Sequence, residues 1–105
     1  MTGLLASLDI SVANTDTLLY TVPSTMTTVL SLCLVNRGGT NAGVRIALCT
    51  GSSVTNASYI AYNHAIYPNE VYERDGIVLS AGQTVYVRTD TTPVNAVVWG
   101  FEEVS

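Results

Sequence analysis

Turn-forming residues recur along the whole chain, mostly at intervals of about seven to fifteen residues, and this rhythm constrains the fold more than any other feature. The runs between the turns are rich in β-branched residues, which is typical of short strands. No window keeps a 3.6-residue apolar period with capping residues, so we predict no substantial helix. We therefore predict an all-β chain: one antiparallel β-sandwich, jelly-roll or immunoglobulin-like, with eight or nine strands. The turn signals are Asn14-Thr15-Asp16, Pro23-Ser24, Gly38-Gly39, Gly51-Ser52-Ser53, Pro68-Asn69, Asp75-Gly76, Ala81-Gly82 and Thr92-Pro93.

The predicted strands follow the alternation of apolar residues between these turns. The third strand is the clearest, because Leu30, Leu32 and Leu34 alternate and are expected to point inward. The predicted strands are Leu4–Val12, Thr17–Val22, Thr27–Val35, Gly43–Cys49, Tyr59–Asn63, Glu70–Arg74, Ile77–Leu79, Thr84–Thr89 and Val94–Val104.

The two ends of the chain carry separate predictions. In the closing strand, Val97, Trp99 and Phe101 share one face, and Trp99 is expected to be a core residue. The segment Met1–Asp16 is either the first strand or an arm laid on a partner. At 105 residues, the chain is expected to form a single domain over residues 1–105.

Charge and hydropathy exclude several classes of partner. Charged residues make up 11% of the chain, there is no lysine, and the net charge is −4, which argues against nucleic-acid binding. The longest charge-free stretches, Thr17–Asn36 and Ile46–Asn69, contain proline and many polar residues, so neither is expected to span a membrane. The start has no basic region followed by an apolar run, so we expect a soluble protein made in the cytosol.

The two cysteines are predicted to be free thiols. A hairpin over residues 36–43 would place Leu32 opposite Ile46. Cys33 and Cys49 would then lie four strand positions apart, or about 13 Å, whereas disulfide Cα atoms lie within about 7 Å. Free thiols also agree with a cytosolic origin.

Residues that could carry chemistry are too few to predict an enzyme. The chain has one histidine and two separated cysteines, so no metal site or cofactor is expected. His64 has no carboxylate close to it in sequence and is interpreted as an exposed loop residue. The acidic pairs Glu70/Glu73 and Glu102/Glu103 are interpreted as solvated charges near a turn and a chain end.

Tyrosines and arginines are the candidates for an interaction surface. Both residue types are enriched at protein interfaces, tyrosine for its amphipathic ring and arginine for its planar fork. Arg45 and Arg88 are predicted mid-strand, either as solvated positions of an outer face or as partners for carboxylates of a neighbouring subunit. The candidate interface residues are Arg37, Arg45, Tyr59, Tyr62, Tyr67, Tyr72, Arg74, Tyr86 and Arg88.

Low charge also predicts association. A sandwich without lysine lacks one common protection for its edge strands, and a weakly charged surface promotes self-association. We therefore expect part of the surface, including some of the tyrosines, to be covered on assembly.

Seven short motifs follow one another between residue 19 and residue 103. They are Leu19-Tyr20-Thr21-Val22-Pro23, Val35-Asn36-Arg37-Gly38-Gly39, Val44-Arg45-Ile46-Ala47-Leu48, Tyr59-Ile60-Ala61-Tyr62, Tyr72-Glu73-Arg74-Asp75-Gly76-Ile77-Val78-Leu79, Ala81-Gly82-Gln83-Thr84-Val85-Tyr86-Val87-Arg88 and Val98-Trp99-Gly100-Phe101-Glu102-Glu103. With its motifs in this order, the chain resembles the small β-sandwich virion proteins of tailed bacteriophages.

The resemblance implies a structural protein of the virion and no enzymatic activity. It implies a capsid decoration (cement) protein, a homotrimer that binds the major capsid protein on the surface of the assembled head. Such a protein would be made in the host cytoplasm. The alternatives are a tail or fibre module that binds a host receptor or a glycan through the tyrosine-rich segment Thr50–Tyr72, and a tail or baseplate part without a ligand.

Overall fold

Two four-stranded antiparallel sheets, packed face to face, make up residues 2–104, the part of the chain that the computed structural model describes. The all-β sandwich is therefore confirmed. A single turn of 3-10 helix, Asn56–Ser58, precedes the fifth strand. The eight strands are β1 (Thr2–Ile10), β2 (Thr17–Thr21), β3 (Met26–Asn36), β4 (Ala42–Thr50), β5 (Tyr59–Ile66), β6 (Val71–Ser80), β7 (Gln83–Thr89) and β8 (Val94–Val104).

The strand order identifies the sandwich as a jelly roll. Sheet A has the order β1-β8-β3-β6, and sheet B has the order β2-β7-β4-β5. The pairs β1·β8, β2·β7, β3·β6 and β4·β5 describe a chain that doubles back as one long ribbon with its tip between β4 and β5. The pairs β3·β8 and β4·β7 then close this rolled ribbon into two sheets.

The core lies between the sheets and is built from the inward positions of each strand. Leu32 and Leu34 of β3 are fully buried, as are Ile46 of β4 and Val85 of β7. Burying one such side chain contributes about 1.5–3 kcal/mol. The predicted inward row of β3 is therefore confirmed.

The predicted hairpin between the third and fourth strands is wrong. Leu32 lies opposite Val98 and Arg74 in sheet A, whereas Ile46 lies opposite Val87 and Ala61 in sheet B. The connection crosses between the sheets because β3 pairs with β6 and β8, whereas β4 pairs with β5 and β7.

The side chain of Asn36 holds this crossing in place. It is fully buried, and its Nδ2 donates to the carbonyl oxygens of Thr40 and Ile66 at 2.8 and 2.9 Å. Its Oδ1 accepts a hydrogen bond from the backbone N–H of Gly38. The carbonyl of Ile66 belongs to β5, so one amide joins the ends of both sheets.

Both cysteines are free, as predicted, but for a different reason. Cys33 lies in sheet A, opposite Val97 and Glu73, and Cys49 lies in sheet B, opposite Thr84. The sulfur atoms are kept apart by membership of different sheets and not by register within one hairpin.

The sixth strand is continuous where a turn was predicted. Val71–Ser80 forms one strand, and its register against β3 shifts between Leu30 and Leu32. Gly76 has φ +69°, so the Asp75-Gly76 pair forms a bulge inside a strand. A glycine in a strand can mark a bulge as well as a turn.

The prediction that Trp99 belongs to the core is wrong. Val94, Ala96 and Val98 of β8 are fully buried, whereas Trp99 lies half-buried on the outer face of sheet A. Both faces of this strand are apolar, so alternation alone did not show which one is inside.

Gly100 explains why β8 fits at the centre of sheet A. A Cβ at this position would lie 2.1 Å from the carbonyl oxygen of Val29 and 2.8 Å from the Cα of Leu30. Gly100 also has φ +149°, a conformation that side chains rarely adopt. Glycine therefore permits the close approach of β8 to β3.

The N-terminal segment forms a strand over the described part. Residues 2–10 are β1 and pair with β8, while Met1 lies outside the described residues. The register shifts between Leu4 and Ala6, which leaves Leu4 outward-facing and 59% exposed. Met1–Asp16 was predicted to be either a first strand or an arm, and residues 2–10 form the strand.

Candidate interaction faces

Five of the nine candidate residues lie together on the outer face of sheet B. Arg45 on β4 lies directly opposite Arg88 on β7, and Tyr86 lies opposite Ala47 on the same two strands. Tyr59 is the partner of Ala47 on the other side, in β5. This surface is called the Tyr–Arg face, and its members are Arg45, Tyr59, Tyr62, Tyr86 and Arg88.

Arg45 is held at the centre of the Tyr–Arg face. Its Nε donates to Oδ1 of Asn63 at 2.8 Å. Its guanidinium carbon lies 4.1 Å from the ring centroid of Tyr62 and 5.8 Å from that of Tyr59. The two rings meet edge to face, with centroids 5.0 Å apart. Cation–π contact and the amide together fix the plane of the guanidinium group.

Arg88 has a weaker partner. Its Nη1 lies 3.9 Å from Oδ1 of Asp16, beyond hydrogen-bond distance, and both side chains are about one-third exposed. The Tyr–Arg face thus carries two guanidinium groups and one loosely associated carboxylate.

Tyr72 and Arg74 lie at a different place, where β6 of sheet A runs beside β5 of sheet B. Arg74 Nη1 donates to the carbonyl oxygen of Ile60 at 2.7 Å and to the hydroxyl of Tyr72 at 3.3 Å. The ring of Tyr72 stacks on His64, with centroids 3.9 Å apart. In the described structure, these contacts join the two sheets along one edge.

A cleft of about 370 Å³ lies on this edge. His64, Tyr67, Glu70 and Tyr72 are among its lining residues. His64 is exposed, as expected, but it belongs to β5 and not to a loop. Tyr67 is 56% exposed at the mouth of the cleft.

Arg37 is separate from both places. Its Nε donates to Oδ1 of Asn95 at 2.8 Å, and its Nη2 donates to Oδ1 of Asp9 at 2.9 Å. Both members of the Arg37–Asp9 ion pair are well exposed, so it contributes at most about 1 kcal/mol.

Sequence reasoning missed a second exposed surface, the outer face of sheet A. Val29 of β3 lies opposite both Phe101 of β8 and Val78 of β6, so apolar side chains continue across three strands. Val78 is 61% exposed, and Phe101 is 42% exposed. The available signal was that β3 and β8 are apolar at both odd and even positions. This surface is called the apolar face, and its members are Leu4, Val29, Val78, Val97, Trp99 and Phe101.

Cys33 lies on the same side of sheet A as the apolar face. Partial burial, assisted by the negative charge of Glu73, raises the pKa of its thiol. A raised pKa keeps the thiol protonated and unreactive near neutral pH. Nothing in this environment activates the sulfur as a nucleophile.

Other chemical features are few among the described residues. Within residues 2–104, no three histidine, cysteine or acidic residues are grouped so as to bind a metal ion. Over the same residues, no helix has the length and apolar character needed to cross a bilayer.

No protein-family model matches the chain, and no curated protein matches it either. The interpretation of its function therefore depends on its residues, its fold and these two faces.

Proposed function

We propose that the protein is a structural component of a tailed-phage virion, a decoration protein that binds the major capsid protein as a homotrimer. The observation that carries the proposal is the presence of two chemically different exposed faces, one on each side of a single sandwich. One is apolar, and the other combines aromatic rings with two guanidinium groups. The resemblance of the motif order to small virion proteins supplies the biological setting.

Two faces suit a protein that has two kinds of neighbour. A decoration protein contacts its own copies and also the shell beneath it. The apolar face fits self-association, because interfaces between identical subunits are the more apolar kind. The Tyr–Arg face fits the shell, because tyrosine and arginine are enriched where proteins recognise other proteins.

Symmetry makes weak contacts sufficient in this proposal. A trimer presents three copies of the Tyr–Arg face to a shell that repeats its own sites. Once one copy is bound, the others bind at high effective concentration. The protein would then act on the virion surface without catalysing a reaction.

The test combines mass and sedimentation. The protein is first measured by light scattering and then incubated with undecorated phage heads, which are pelleted. We expect a trimer that co-sediments at near-stoichiometric copy number. A folded protein that stays in the supernatant would contradict the proposal.

A second candidate function is a tail or fibre module that binds a glycan. The observation that favours it is the cleft between β5 and β6, where Tyr67, Tyr72 and His64 offer rings and Glu70 offers a hydrogen-bond acceptor. A glycan-binding screen tests it, with Tyr67→Ala as the variant expected to lose binding. Tyr86→Ala, on the opposite side of β4, is the matched control. Equal binding by both variants would argue against this use of the cleft.

A further inference from the structure

We infer that Arg45 and Arg88 together form a receptor for carboxylate side chains of a protein partner. The inference rests on the proposed function only for the identity of that partner, the capsid shell. The chemistry follows from the two arginines and their surroundings.

Arg45 is organised for binding before any partner arrives. Asn63 occupies its Nε, and the ring of Tyr62 covers one face of the guanidinium group. Asn63 adopts a left-handed backbone conformation, with φ +53°, which asparagine tolerates better than most residues. An arginine that is already immobilised loses little side-chain entropy when it binds.

The part of Arg45 that is available to bind a partner is the end of the guanidinium group, with its two terminal amino groups. Within residues 3–104, its two terminal amino groups have no hydrogen-bond acceptor. These groups present parallel N–H donors whose spacing matches the two oxygens of a carboxylate. The arrangement therefore favours a planar, two-oxygen anion.

Arg88 adds a second positive charge to the receptor, and its repulsion of Arg45 favours binding of an anion. It lies directly opposite Arg45, and like charges in that position destabilise a sheet. Asp16, 3.9 Å from Arg88, supplies one negative charge, which offsets at most one of the two positive charges. The Arg45 head group lies against β5, and that of Arg88 lies beside Asp16. A carboxylate bound at the open end of Arg45 would offset this like-charge repulsion.

The surroundings favour a protein over a small ligand. Small-molecule sites are usually concave, whereas Arg45 and Arg88 lie on a sheet face and line neither the β5–β6 cleft nor a second, smaller cleft at the β1–β8 end. Tyr62 is 58% exposed, and Leu18, which lies opposite Tyr86, is 47% exposed, so the Tyr–Arg face also offers apolar area. Tyrosine and arginine are enriched in protein-binding hot spots, where surrounding contacts exclude water.

Charge complementarity selects acidic residues as the occupant. The chain has a net charge of −4, so its overall field repels an acidic partner. Two of the four arginines are concentrated on the Tyr–Arg face, which makes it the favourable approach for such a partner.

The experiment uses the full chain with its arginines labelled with ¹⁵N. Because there are four arginines, the side-chain Nε–H spectrum contains four signals to assign. The probe is a blocked hexaglutamate peptide, and a blocked hexaglutamine peptide at equal ionic strength is the control. We expect saturable shifts at Arg45 and Arg88 with hexaglutamate and none at Arg37 or Arg74. Absence of shifts, or equal shifts at Arg37, would overturn the inference.

A pair of conservative variants tests the role of the fork. Arg45→Lys keeps the charge and removes the two parallel donors, and we expect it to weaken hexaglutamate binding by about tenfold. Arg37→Lys is the matched control, because Arg37, like Arg45, donates its Nε to the side-chain oxygen of an asparagine. If Arg45→Lys binds as tightly as the unaltered chain, the fork is not the receptor.

Two further experiments distinguish this inference from a general anion site and from the proposed function. Equal or stronger shifts with inorganic phosphate or glucuronic acid would replace the protein partner with a general anion site. If the protein binds phage heads and Arg45→Lys binds them equally well, the inference fails while the proposed function stands. If the protein ignores heads but its Arg45 and Arg88 signals respond to hexaglutamate, the proposed function fails while the inference stands.

Discussion

Tyr20 and Glu102 are 82 positions apart in the chain and are joined by a hydrogen bond in which the phenol hydroxyl donates to the carboxylate. The same hydroxyl lies 2.9 Å from Oγ1 of Thr28, which is fully buried. The three residues belong to β2, β8 and β3, so this cluster fastens sheet B to sheet A. Burial, the hydrogen bond and the negative charge of Glu102 raise the pKa of Tyr20 to about 12.

Stability should fall at alkaline pH because of this tyrosine. The folded state favours the protonated phenol, so its stabilising contribution is complete below pH 10 and is lost as the pH rises toward about 12. Urea unfolding between pH 8 and pH 12 measures the loss. Tyr20→Phe should show a flatter pH profile and, at pH 7, a free energy of unfolding lower by about 1–2 kcal/mol. Tyr67→Phe, an exposed control, should match the unaltered chain, and identical profiles for all three proteins would contradict this role.

Gly100 should not tolerate a side chain. Gly100→Ala places a methyl group against the backbone of β3 and should lower the free energy of unfolding by about 3 kcal/mol or prevent folding. Thermal unfolding followed by circular dichroism measures the effect. Gly39→Ala is the control, because nothing lies within 4 Å of a Cβ there. Similar melting temperatures for the two variants would show that β8 can move away from β3.

Trp99 should matter for assembly more than for folding. Trp99→Ser removes a ring from the outer face of sheet A and leaves the core between the sheets intact. We expect a folded protein whose mass, measured by light scattering, falls to that of one chain, 11.1 kDa. Loss of the folded state would show that the ring stabilises the sandwich itself. An unchanged oligomer would exclude the apolar face as the self-association surface.

The thiols should be dispensable. Replacing Cys33 and Cys49 together by serine should leave the oligomeric state unchanged, because the two sulfur atoms are free and lie in different sheets. Iodoacetamide should react slowly with Cys33 at pH 7.5, since a raised pKa leaves little thiolate. A covalent dimer on a non-reducing gel, or rapid alkylation at neutral pH, would contradict this description.

Strand positions were predictable because they depend on local pattern. The alternating leucines of β3 and the extent of β8 follow from residue type and spacing within a few neighbouring positions. The pairing of strands was not predictable in this way. A Gly-Gly turn between two apolar strands suggests a hairpin, and only competition from β8 and β7 separates β3 from β4.

The same distinction holds for the interaction faces. Arg45, Tyr59 and Tyr86 could be selected by residue type alone. Their convergence follows from the position of β4 between β7 and β5, which no local pattern specifies. The outward position of Trp99 was not predictable for a related reason: β8 is apolar on both faces, so its pattern does not show which face is covered.

The order of strands also sets when the chain can fold. Sheet A is built around β8, which lies between β1 and β3 and is the last of the eight strands to emerge from the ribosome. Until β8 has been made, the strand that pairs with both β1 and β3 is missing, and their apolar residues stay exposed to solvent. Folding of the sandwich during translation is therefore delayed until β8 has been made, and sheet A must then close rapidly to avoid aggregation.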